Sequence, residues 1–485
     1  MKKYLLLAFI FTPAVSYLLL HPTVATRSEE QGFRVGQPVV SRATAFAVSP
    51  RLRDIAPAAT GGDVRELKVH ELGSQPSSKS ERVAQHDSET ALALFGTTPM
   101  PEPALSFPGL SNIDNAQIYE LLIIPPDMNG DVGPDHYFQV VNSLLRVFDK
   151  TGQPVSPAFK ISDLFAPLGT VCSTRNDGLA IVLYDPLADR WLVSQTCTAF
   201  PPFRQMVAVS KTGDPLGQYY AYEFVMPNVK LNDFPKFGVW PDAYYMSTDE
   251  FLGADYVGAG AFAFDREKLL AGDPSASYIY FNLQVPVSPR RKGLLPSDMD
   301  GLRPPPAGSP NVFASYTATE YGDAQDAIRL YDFHADFGDP LSSTFSERPE
   351  SPIAVAAFDP TSPDGRADIS QPAPGEKLDS QSDRLNYRLA YRNFGTHESL
   401  VVNQTVRTSS EPYRAAVRVY EFRKTGAVYA VSEQATLGDA SSSRWIGAAA
   451  QDHQGNLAVQ YNFVSDEKRP SIFYSGRLNG EPAGV

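Results

Sequence analysis

Apolar residues along this chain fall in short runs broken by turn residues, with no sustained 3.6-residue stripe. The stretch FGVWPDAYYMST (237–248) is small and apolar, stops at Pro241-Asp242, and resumes as an aromatic run. GDVGPDHYFQVVN (130–142) has the same shape, and YDPLADRWLVSQ (184–195) a related one. Proline presets a turn backbone and aspartate accepts from neighbouring N–H groups, so each stretch predicts two antiparallel strands joined at the turn. A different run follows each of them, as in LLRVFDKTGQP (144–154), AIRLYDFHADFGDP (327–340) and AAVRVYEFRKTG (415–426). The order Arg-apolar-aromatic-acid recurs at Arg146–Asp149, Arg329–Asp332 and Arg418–Glu421.

Each unit divides into four strands; in the second these are AIVLYD (180–185), RWLVSQT (190–196), RQMVAVS (204–210) and YYAYEF (219–224). The first strand is small because strands crowd near a central axis, and the second packs against neighbouring sheets. The unit recurs six times, at intervals of about 50 to 80 residues. The expected fold is all-β, a β-propeller of six four-stranded blades, or of seven if 343–385 holds further strands. The last unit lacks a fourth strand, so QIYELLII (117–124) is expected to close the ring antiparallel to 471–475. PPDMNGDVGPDHYFQVVN, YDPLADRWLVSQ, FPKFGVWPDAYYMST, YRNFGTHESLVVNQTV and RWIGAAAQDHQGNLAVQYN together resemble a widespread, largely uncharacterised family of secreted bacterial propeller-like proteins. That resemblance covers 117–485 and implies export and a propeller, of sialidase-like architecture without Asp boxes. It supplies no catalytic residues.

Outside the repeat, residues 1–25 read as a signal peptide: a basic start, an apolar run, and small residues at Thr23-Val24-Ala25. The alternative is an uncleaved anchor, since the apolar run is nearly long enough to span. Residues 26–112 are polar and read as a linker or pro-segment, with a short helix at 89–95. The propeller then occupies 113–485, with a Pro/Ser/Asp-rich insertion at 343–385. The expected location is secreted or periplasmic, with no membrane span once the signal is removed. The net charge of −13 would be repelled by phosphate backbones, so nucleic acid is excluded as a partner. The two cysteines, Cys172 and Cys197, form an isolated pair, which in an exported chain predicts a disulfide; two buried thiols are the alternative.

The long loops lead into the first strand or join the second to the third, on one face, which is where function is expected. An aspartate stands near the start of every unit: Asp131, Asp177, Asp233, Asp300, Asp383 and Asp439. With Arg444 they are candidate ligand-binding residues for a cation or sugar hydroxyls; the competing reading is that each makes an Asx turn. Asp127, Asn129 and Asp131 have the oxygen spacing of a calcium loop, although Val132 and Phe138 stand where an EF-hand needs glycine and an acid. Calcium is the one cofactor expected. His397, Glu398, Arg388, Arg392, Arg444 and Arg477 are the residue types with which a propeller grips a carboxylate and cleaves a glycoside. No GxSxG, HExxH or phosphate-binding glycine loop is present. The first expectation is therefore a non-catalytic binding or scaffold module for a glycan, peptide or protein. The alternative is a sialidase- or lyase-like glycoside-cleaving enzyme, to be favoured if arginines and paired carboxylates meet in one pocket.

Overall fold

The computed structural model describes residues 34–58, 68–71, 101–284, 293–362 and 366–481. The expected signal peptide and the helix expected at 89–95 lie outside them. The architecture is all-β and propeller-like: antiparallel sheets follow one another in chain order and pack face to face. The first unit is a four-stranded sheet, Met128–Val132, His136–Val141, Leu144–Asp149 and Phe159–Lys160. The second is built from Ile181–Asp185, Arg190–Cys197, Arg204–Ser210 and Tyr219–Val225, the third from Leu231–Val239, Ala243–Leu252, Asp255–Asp265 and Ser277–Gln284. Innermost strands Leu295–Asp300 of the fourth unit and Leu385–Asn393 of the fifth pair in parallel, merging both units into one nine-stranded sheet. A further sheet has three strands, Ser442–Gln451, Leu457–Ser465 and Ser471–Arg477, and the expected six four-stranded blades do not appear as six such sheets among the described residues.

The Pro-Asp turns form where the pattern predicts them. Gly133 N–H donates to the His136 carbonyl at 2.9 Å, and Trp240 N–H to that of Ala243 at 3.1 Å. In the second and third units the strands beyond the turns bury both faces. Trp191 and Val193 join a core shared with Phe138, Val140 and Val147 of the first unit, while Leu192 joins one shared with Phe237, Tyr244 and Phe262 of the third. Consecutive side chains of one strand point to opposite faces, so a sheet between two sheets is apolar on both. The inner strands do crowd: a Cβ added to Gly238 would collide with the Ser297 carbonyl oxygen of the next unit.

Three expectations are corrected. Residues 117–124 are not a closing strand. Asn112–Tyr119 is a helix, capped by reciprocal Ser111 and Asp114 hydrogen bonds and ended by left-handed Glu120. Leu121–Ile124 pairs in parallel with Lys68–Glu71 instead, and 471–477 pairs only with 457–465 among the described residues. The insertion at 343–385 makes no separate sheet there; its strands Thr344–Glu347 and Ile353–Ala354 pair onto Ala327–His334. The polar stretch read as linker also enters the fold: Ala45–Val48 extends the second sheet, and Arg34–Val35 and Val39–Arg42 the third. These segments satisfy outer-edge backbone groups that would otherwise be open. Cys172 and Cys197 form a buried disulfide, with their Cα atoms 5.8 Å apart. No helix among the described residues is long and apolar enough to cross a membrane.

Candidate functional site: a charged channel

Charged side chains gather along the inner strands at two levels. The level further along these strands is built from Asp131, Asp298, Asp300, Arg388 and Arg392. Arg388 donates to Asp298 Oδ2 at 2.5 Å and to Asp300 Oδ1 at 2.6 Å. Asp298 Oδ1 accepts the Val239 N–H at 2.8 Å; Asp131 Oδ2 and Asn129 Oδ1 accept the Tyr184 and Val182 N–H groups at 2.8 and 2.7 Å. An innermost strand has one edge without a ladder, and an aspartate or asparagine of the adjacent unit fills its donors. Asp298 is 2% exposed. Burial pushes its carboxyl up, to about 7, against Arg388 and with Asp131 and Asp300 adding like charge. Asp131 is raised chiefly by burial too.

The second level lies where the chain enters the inner strands and holds Asp127, Asp233, Lys236, Asp249, Asp383 and Arg384. Arg384 donates to both oxygens of Asp383, at 2.8 and 3.1 Å, and lies 3.6 Å from Asp249. Asp127 and Asp233 are half-buried. Asp127 Oδ2 is shielded from solvent and has no hydrogen-bond partner among the described residues. Burial raises its carboxyl to about 6, opposed by Lys236, Arg384 and Arg366. Asp233 is likewise raised to about 6, by burial first and then by Asp249, with Asp127 adding to it. Lys236 is pushed down to about 8 by burial, while Asp127, Asp233 and Asp249 pull it up. Its ammonium lies 3.9 Å from the Phe234 ring centroid and 5.5 Å from that of Tyr387.

Local backbone irregularity aims these groups. Pairing between 231–239 and 243–252 shifts after Asp233↔Asp249 and resumes at Lys236↔Ser247. Phe234 and Pro235 thus oppose the single residue Thr248, a bulge with Phe234 left-handed at φ 51°. Pairing of 385–393 with 398–410 is also interrupted, between Asn386 and Ala390, and Arg388 projects from that interruption.

The sequence candidates divide accordingly. Asp131 and Asp300 meet at one level, and Asp127, Asp233 and Asp383 at the other. Asp177 instead accepts from Arg175 and Thr198 beside the disulfide. Asp439 accepts from Ser441, Ser442 and Arg444; burial would raise it, but these groups hold it down to about 2. The arginine cluster splits: Arg388 and Arg392 reach the channel, Arg444 pairs with Asp439, and Arg477 with Glu433. His397 stacks on Phe394, and Glu398 accepts from Tyr391 and Lys424. Asn129 and Asp131 are engaged in backbone hydrogen bonds, and no group of three or more His, Cys, Asp or Glu could hold a metal among the described residues. Sequence reasoning missed Lys236, Asp249, Asp298 and Arg384. The proline and aromatics of NDFPKF (232–237) were a signal for the bulge.

No protein-family profile matches the chain, and no curated protein matches it in sequence. Among solved structures it is similar to the α-L-arabinanase of Penicillium chrysogenum complexed with arabinobiose, at 9% identity and a TM-score of 0.34, covering 72% of this chain and 92% of that one. The endo-arabinase of Bacteroides thetaiotaomicron gives 11% and 0.29 over 63% and 94%, and the endo-arabinanase of Bacillus licheniformis 8% and 0.29 over 61% and 92%. At these values the likeness concerns the general sheet arrangement. The expectation of a non-catalytic binding or scaffold module is corrected on the residues themselves: Arg388 bridges Asp298 and Asp300, and Asp233 lies in the field of Asp249, Arg384 and Asp127, so arginines and several carboxylates do meet, the condition set for the glycoside-cleaving alternative.

Proposed function

We propose that this protein is a glycoside-cleaving enzyme acting from its central channel, with six blades as the working count. The observation that carries the reading is the convergence of Asp127 and Asp233. They belong to units far apart in sequence, and both carboxyls are raised toward neutrality. Glycoside hydrolysis needs one carboxyl that keeps its proton and one that does not. Asp127 and Asp233 fit that need, because burial holds both carboxyls toward about 6 and the charge of Asp127 adds to the rise at Asp233. In this reading the pair shares one proton near pH 6; the protonated member gives it to the leaving-group oxygen while the ionised member activates water or attacks the anomeric carbon. Asp249, Asp383 and Arg384 set the field around the pair, and Phe234 and Tyr387 offer ring faces to a sugar.

The test is a panel of chromogenic glycosides together with arabinan and galactan, assayed with calcium and with chelator. Bond cleavage by the wild type, falling by about a hundredfold or more in Asp233→Asn with a melting temperature no lower than the wild type's, is the expected result. No cleavage of any member, or equal cleavage by the variant, overturns the reading.

A further inference from the structure

We propose that Lys236 is the ligand-orienting residue of this channel, donating to a sugar hydroxyl that in turn donates to Asp127. The proposal rests on the glycan reading above but concerns binding, not bond cleavage. In a regular strand, residues 233 and 236 would face opposite sides of the sheet. The bulge changes that. Asp233 pairs with Asp249 and Lys236 with Ser247, two residues apart on one strand and therefore on the same face. The extra residue is accommodated at Phe234, whose φ of 51° is costly for a bulky side chain. Strain of this kind, joined to a bulge that re-aims a side chain, is a feature of functional sites.

The re-aimed lysine is held but not neutralised. Its ammonium rests on Phe234 and near Tyr387, and no carboxylate lies within ion-pair distance of it among the described residues. Arg384, by contrast, is spent on Asp383 and Asp249. Asp127 faces Lys236 as its largest charge partner yet keeps a shielded oxygen without a hydrogen bond. An ammonium without an ion pair and a shielded carboxylate oxygen without a hydrogen bond, close enough to act on each other's charge, call for a bridging group that accepts from one and donates to the other. A neutral hydroxyl does both; a carboxylate only accepts, and would face Asp127, Asp233 and Asp249.

The test is calorimetric binding of arabinobiose, xylobiose, cellobiose and digalacturonate to the wild type, Lys236→Met, Lys236→Arg and Asp233→Asn. The expected result is that at least one neutral disaccharide binds the wild type, with Asp233→Asn serving only to hold the sugar uncleaved. Lys236→Met should then lose about ten- to a hundredfold in affinity, the loss of a charged hydrogen bond, and Lys236→Arg should recover part of it. Unchanged affinity in Lys236→Met, preference for digalacturonate, or no neutral sugar bound overturns the assignment. If Lys236→Met melts early, the Lys236→Arg titration decides alone: affinity equal to the wild type's for digalacturonate but none for neutral sugars overturns it. Binding that follows this pattern without cleavage leaves the orienting role standing and removes the enzyme reading.

Discussion

The two levels of the channel use similar residues to opposite ends. Around Arg388, Asp131 and Asp298 accept backbone N–H groups of the adjacent unit, and Arg388 bridges Asp298 and Asp300. Around Lys236, a carboxylate oxygen is left without a hydrogen bond and an ammonium without an ion pair among the described residues. The first arrangement locks inner strands together. The second stores unsatisfied polar capacity, which a ligand can fill. A buried charge is informative about function only when its hydrogen bonds are not already used by the fold.

The sharpest way to break this comparison is to remove the paired level. Asp298→Ala leaves Arg388 half-compensated and the Val239 N–H without its acceptor. Loss of one partner of a buried pair costs about 3–5 kcal/mol, so a large drop in Tm is expected, and Asp298→Asn, which retains the acceptor, should lose less. If Asp298→Ala melts like the wild type, the level is no rivet.

At the open level, stability and activity should separate. Asp233→Asn is expected to abolish cleavage, as stated above, yet to stabilise the fold near neutral pH. The sign follows from linkage. Asp127 and Asp233 hold their protons up to about 6, above the 3.8 of an ordinary aspartate. Between these values the folded state binds more protons than the unfolded one, so their contribution to stability falls as pH rises through that window. Melting curves from pH 4 to 7 should show this fall in the wild type and a shallower one in Asp233→Asn. Equal slopes would place the carboxyl in an ordinary solvated setting.

The disulfide joins residues 25 apart. Its removal as a Cys172→Ser/Cys197→Ser pair should cost about 3 kcal/mol by the chain-entropy account without altering cleavage. Loss of activity at unchanged Tm would tie the long loops to the site more closely than the channel geometry does. The smallest expected effect is at the outer edges. Deleting residues 1–50 removes the strands over Tyr219–Val225 and Ser277–Gln284. A Tm lowered by several degrees and a greater tendency to associate are expected, since two sheet edges become open. An unchanged melting curve would make those strands mere cover.

Sequence alone determined the all-β, propeller-like class, the turns at Pro134-Asp135 and Pro241-Asp242, and the cysteine pairing, because each depends on residues close in the chain or on the only pair available. It also showed aspartates at the starts of the units. It did not tell Asp177 and Asp439, which hold turns, from Asp233, which meets Lys236 and Asp249, since all share one local pattern, and it offered Asp127 only as a calcium-loop oxygen. The fate of QIYELLII was likewise out of reach: its alternation fits a strand, but the Ser111/Asp114 cap and neighbouring segments made its first half a helix. Lys236 and Asp298 acquire meaning only from strands brought together across the ring. Whether a charge is spent or open depends on partners hundreds of residues away, and that is decided by tertiary structure.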